Sequence, residues 1–161
     1  MVSAVYILYW PDNSIDYPHS QLLLHRRYNN HIAANSLILA SFDRHYKSLQ
    51  LHERVPFLLI DGFSYTYITL PHDLMFVAVC SNNVNAMLTV VFLDHFYQIL
   101  HRYLVKPEEN VVLDKDTVID NINIIFELLD ECMDFGIVQQ TDYNLLKEYI
   151  KLEINLPKLS T

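Results

Sequence analysis

The sequence of 161 residues predicts a single α+β domain built on a mostly antiparallel sheet, and three observations lead there. Short β-rich runs fill most of the first half and helical periodicity the second, without the βαβ alternation that a parallel sheet requires. Clusters of turn-forming residues separate the early runs. The chain is 52% hydrophobic and 19% charged, so it has the apolar material for a real core and some to spare for its surface.

Taken in order, Ser3–Tyr9 and Gln21–Tyr28 read as two strands. The residues between them include Pro11 and Pro18, which makes the pair a hairpin with a long loop. From about Ile32 to Leu49 the pattern turns helical, with Ile38, Phe42, Tyr46 and Leu49 on one face and Asn30 or Asn35 as the expected cap. Pro56 opens the run Phe57–Ile60, and Asp61-Gly62 supplies the positive-φ dipeptide of a tight hairpin. Alternation over Ser64–Thr69, then Pro71-His72-Asp73 and the run Leu74–Val79, completes a three-stranded meander. Asn83–Val105 reads as a long helix whose polar residues Asp94, His95, Gln98, His101 and Arg102 share about a third of the helical wheel, so it expects cover on more than one side. Asp116 or Thr117 then caps a helix with the apolar face Val118, Ile122, Ile125, Leu129 and Cys132, and Gly136 reads as its stop. Thr141 starts a short last helix through Leu146, Tyr149 and Ile150, with Lys147 and Lys151 complementing its C-terminal dipole.

Charge and composition exclude several function classes. Eleven Lys and Arg against 19 Asp and Glu give 11 − 19 = −8, the wrong sign for neutralising nucleic-acid phosphates or an anionic membrane. Two glycines, Gly62 and Gly136, are too few for phosphate-cradling loops or a nucleophile elbow. The apolar runs fall short of the roughly 20 residues that cross a bilayer, and the start lacks a secretory signal, so the expectation is a cytoplasmic chain. Cys80 and Cys132 lie in apolar segments without zinc-ligand spacing and read as reduced core thiols. The eight histidines are scattered, and His95 and His101 fall on different faces of their helix. Neither a catalytic set, a cofactor motif nor a metal set emerges, so the expectation is a protein that is not an enzyme.

Two features point instead toward protein partners. Glu127, Asp130, Glu131 and Asp134 form a dense acidic run near a helix C-terminus, where the macrodipole is already negative and each group loses roughly a few tenths of a kcal/mol. Such a face is either simply solvated or meets basic groups of a partner. The loop from Trp10 to Ser20 carries Trp10, Ile15 and Tyr17, aromatic and aliphatic bulk that either anchors an interface or folds back over its own sheet.

The stretch Glu127 to Gly136, followed by Gln139, Thr141-Asp142, Leu146 and Glu148-Tyr149-Ile150, closely resembles the end of the N-terminal domain of the mu (medium) chains of clathrin adaptor complexes. Ser3–Tyr6, Arg27-Tyr28, Gly62, Tyr65, Asn83, Asn85, Ala86, Phe92 and Leu93 agree with the same family in order, so the resemblance covers nearly the whole chain. Within it the sequence looks most like the trans-Golgi and endosomal type, and like a divergent fungal member. Val138 stands where the family usually has Pro, and the first hairpin is longer.

The resemblance implies a longin-like fold: five antiparallel strands, one helix on one face and two main helices on the other. It implies residues 1–154 as that domain and 155–161 as the start of a linker toward a C-terminal mu homology domain, which in the family binds cargo. It further implies a non-enzymatic subunit domain in vesicle-mediated transport, docked on a large adaptin trunk, β-type first. A small sigma subunit sits in the same complex, clathrin is met indirectly, and there is no nucleic acid and no direct membrane insertion. The implied location is peripheral, on trans-Golgi and endosomal membranes and coated vesicles. A ligand-binding or GTPase-regulatory longin-type module outside an adaptor complex is the alternative.

Overall fold

The computed structural model describes residues 2–11, 18–81, 86–134 and 136–138. Strands β1 (Val2–Tyr9), β2 (Gln21–Arg27), β3 (Phe57–Ile60), β4 (Phe63–Thr69) and β5 (Leu74–Ser81) form one sheet in the order β2-β1-β5-β4-β3. Every neighbouring pair is antiparallel. The registers Val5↔Ala78 and Tyr6↔Val77 join the first hairpin to the later meander through the central pair β1/β5. Both faces of that pair are covered, which is why Leu74–Cys80 is continuously apolar instead of alternating. Asp61 and Gly62 have φ of 51° and 83° and close the β3/β4 turn as expected.

Strand alternation sends Ala4, Tyr6, Leu8, Tyr65, Tyr67 and Val77 to one face, where helix α1 (Asn35–Ser48) buries Ile38, Phe42 and Tyr46 against them. Val5, Ile7, Phe76, Ala78 and Cys80 point to the other face. There they meet α2 (Ala86–Leu104), α3 (Lys115–Asp120) and α4 (Ile122–Cys132). This is the longin-like layering of one helix against a helical pair. Cys80 and Cys132 are free and buried.

Several local expectations are corrected. α1 is capped by Ala34 without a side-chain bond, because the Asn35 carboxamide oxygen instead accepts from the Tyr6 hydroxyl at 2.7 Å and from Arg27 at 3.0 Å. Asp114, not Asp116 or Thr117, caps α3; its carboxylate accepts the Thr117 N–H at 2.9 Å. The single predicted helix is two, broken at buried Asn121, whose side chain donates to the Thr117 carbonyl at 2.9 Å. Gly136 (φ 85°) is not a helix stop. α4 ends at Cys132, and Gly136 lies in the turn of a small hairpin between β6 (Met133–Asp134) and β7 (Ile137–Val138). The Gly136 carbonyl accepts the Val2 N–H at 2.9 Å, tying this hairpin to the start of the sheet. The helix expected from Thr141 and the domain boundary at 154 lie outside the described residues.

Candidate docking surface

α4 is positioned by burial of Ile124, Ile125, Leu128, Leu129 and Cys132, so its 3.6-residue period turns Glu127, Asp130 and Glu131 outward. Asp134 follows on β6, also exposed. The structure gives one of these carboxylates an internal partner. Arg26 on the edge strand β2 meets Asp130 at 2.9 Å, with both side chains nearly half exposed. Among the described residues Glu127, Glu131 and Asp134 have no ion pair, so they form the part of the acidic face that is open to solvent. Behind the pair, burial first and the Asp130 charge second raise the Tyr28 hydroxyl well above the ordinary phenol range.

Trp10 takes the inward one of its two expected placements. It is 7% exposed, its ring lies 5.2 Å from that of Tyr46, and its backbone N–H donates to the Asp73 backbone carbonyl at 2.8 Å. Its bulk is therefore used within the fold; Tyr17 lies outside the described residues. The sequence pattern also missed Arg26 as the partner of Asp130, although an Arg-Arg pair ending a strand is a visible source of cations. It missed Asp43 as well, a buried carboxylate that accepts both the N–H and the hydroxyl of Ser20 at 2.9 and 2.7 Å and pins the far end of the long loop to α1.

Uncovered apolar surface is the second component. The first turns of α2 expose Met87 at 69%, Leu88 at 65% and Val91, so the cover expected on several sides of this helix is missing at its N-terminal end. Edge strand β3 exposes Leu59 at 69% and part of Phe57, both of which stand on the helical-pair face of the sheet opposite Ser64 and Thr66. Chemistry at the thiols is disfavoured. Burial, with Glu131 adding to it, pushes Cys132 up to about 12, and burial also raises Cys80. Among the described residues no three His, Cys, Asp or Glu gather as a metal set, and no helix is long and apolar enough to cross a membrane. The described surface thus combines exposed apolar side chains on α2 and β3 with an acidic face on α4 and β6.

No family model matches the sequence. Among curated proteins, the adaptin medium chain homolog APM2 of Saccharomyces cerevisiae is 36% identical over 130 residues, 78% of this chain and 20% of the relative. The AP-2 complex subunit mu of Schizosaccharomyces pombe is 38% identical over 99 residues, 62% of this chain and 21% of the relative. The human AP-1 complex subunit mu-2 is 40% identical over 89 residues, 55% of this chain and 19% of the relative. The chain spans about a fifth of the length of these relatives. Over most of its own length, then, this chain is similar to mu subunits of adaptor complexes.

Proposed function

We propose that this chain is the longin-like domain of an adaptor-complex mu subunit and acts without catalysis in clathrin-associated vesicle transport. The observation that carries the reading is 36% identity along 78% of the chain to an adaptin medium chain homolog. It is supported by the five-stranded sheet with one helix on one face and the helical pair on the other. Its work is to bury uncovered apolar surface against the trunk of a large adaptin, β-type first, within a complex that also holds a sigma subunit and reaches clathrin indirectly. Residues 1–154 form the domain and 155–161 open a linker to the mu homology domain. The complex is of the trans-Golgi and endosomal type, and the chain is peripheral on those membranes through its partners.

Co-expression with β-type adaptin trunks, followed by co-purification, tests the reading. A stable complex at equal stoichiometry is expected with at least one trunk. A soluble monomer that binds none of them, and instead retains a small molecule through purification, would overturn it.

A further inference from the structure

The two edges of the sheet are built differently. Edge strand β2 exposes His25 and Arg26, and Arg26 is tied to α4 through Asp130, so charge and a neighbouring helix guard that side. Strand β3 at the other edge has neither device. Phe57–Ile60 holds no charged residue, and Leu59 is 69% exposed. Pro56 does not blunt this edge. Its carbonyl accepts the Tyr67 N–H at 3.1 Å, so the position that lacks an N–H faces β4 and not solvent.

Ladder alternation fixes which groups of β3 point outward. The two-residue turn at Asp61-Gly62 makes Ile60 and Phe63 a bonded pair, and Pro56 bonds to Tyr67, so Pro56, Leu58 and Ile60 turn their backbone groups toward β4. Phe57 and Leu59 turn theirs away from the sheet, and among the described residues no strand lies beyond β3. Their side chains stand on the helical-pair face, where the start of α2 also exposes Met87 and Leu88. The edge is therefore self-complementary about Leu58. An identical antiparallel strand sets each Phe57 opposite the Leu59 of its mate, and each of these two pairs exchanges both of its backbone bonds. The same register lays Arg54, which precedes β3, beside the Asp61 that follows it in the other copy. A parallel mate brings like charges together instead.

We propose that β3 pairs antiparallel with the β3 of a second copy of this chain, closing a two-fold dimer in which the two five-stranded sheets continue edge to edge. With a net charge of −8, two copies repel each other over most of their surface. This edge is the exception, since it is an uncharged apolar strand whose ends carry opposite signs. The strand is short, so the dimer is a weak one, half formed at about 10–100 μM chain. The pairing is a property of the chain alone and does not rest on the adaptor reading. Where both hold, the second copy and the trunk compete for Leu59.

The test is sedimentation equilibrium of the full 161-residue chain without any adaptin, joined to crosslinking that reads the register. The chain shifts from monomer to dimer, and no further, as its concentration rises. Leu59→Lys and Phe57→Glu each weaken the dimer at least about tenfold. An equal mixture of the two restores it, because the register sets the new Lys opposite the new Glu. Leu37→Lys, at an exposed position on α1, has no effect. On mild oxidation Leu58→Cys forms a disulfide-linked dimer, since each Leu58 faces its own mate at about 4.5 Å between Cα atoms. Leu59→Cys does not, being two positions out of step with its mate and beyond the roughly 7 Å that a disulfide spans. If Leu58→Cys fails to fold by circular dichroism, the mixing of the Lys and Glu variants decides the register in its place. A monomer at about 1 mM chain, association indifferent to Leu59→Lys, growth past the dimer, or equal crosslinking through Leu59→Cys would overturn the proposal. Failure to bind any adaptin trunk leaves all these readings in place, so the two proposals fail separately.

Discussion

The ion pair between Arg26 and Asp130 shows how a residue's role depends on its neighbours. Both side chains are nearly half exposed, so the pair contributes less than about 1 kcal/mol. Asp130→Lys is expected to lower stability by no more than about that amount, and Arg26→Glu in the same chain to restore it; urea midpoints of the four species check the coupling. Core residues behave differently. Phe92→Asp places a charge at a site 2% exposed and is expected to abolish the folded circular dichroism signal. Alkaline pH offers a third check. Burial raises Tyr6 from 10.0 to about 12 and Cys132 from 9.0 to about 12, so the native state favours their neutral forms. Their contribution is complete below the unfolded values and is lost as pH climbs from about 9 toward 12, so the denaturation midpoint falls across that window.

At the scale of elements, the strands lie close to where alternation and turn chemistry put them, because Asp61-Gly62 and the Pro clusters punctuate the chain locally. Helix ends were less legible. Asn, Asp and Thr are all plausible caps, and which one bonds depends on what else competes for its oxygen, as Tyr6 and Arg27 do for Asn35. Asp114→Ala should therefore cost about 1 kcal/mol in denaturant unfolding, whereas Asp116→Ala should be near neutral. The break at Asn121 has the same origin. An Asn side chain that reaches back to the carbonyl four residues earlier fits within helical periodicity, so the apolar pattern ran through it unchanged.

For the whole molecule, the sheet is filled on both faces, yet β3 and the start of α2 leave Leu59 and Met87 largely in water. Leu59→Lys with Met87→Lys is expected to leave the urea midpoint nearly unchanged, to reduce self-association in gel filtration, and to abolish co-purification with the adaptin trunk. Retained co-purification would place the trunk contact elsewhere on the surface.

By itself the sequence determined the order of the five sheet strands, the apolar faces of the main helices and the turn at Asp61-Gly62. These rest on local periodicity and composition, which a linear chain displays directly. Only the tertiary structure decided that Trp10 turns inward and that Asp130 belongs to Arg26. It also decided that Gly136 closes a hairpin against Val2, and that Phe57 and Leu59 stand at an edge of the sheet. Those outcomes depend on which distant polar groups arrive within about 3 Å of each other and which surfaces no neighbour covers, and spacing along the chain encodes neither.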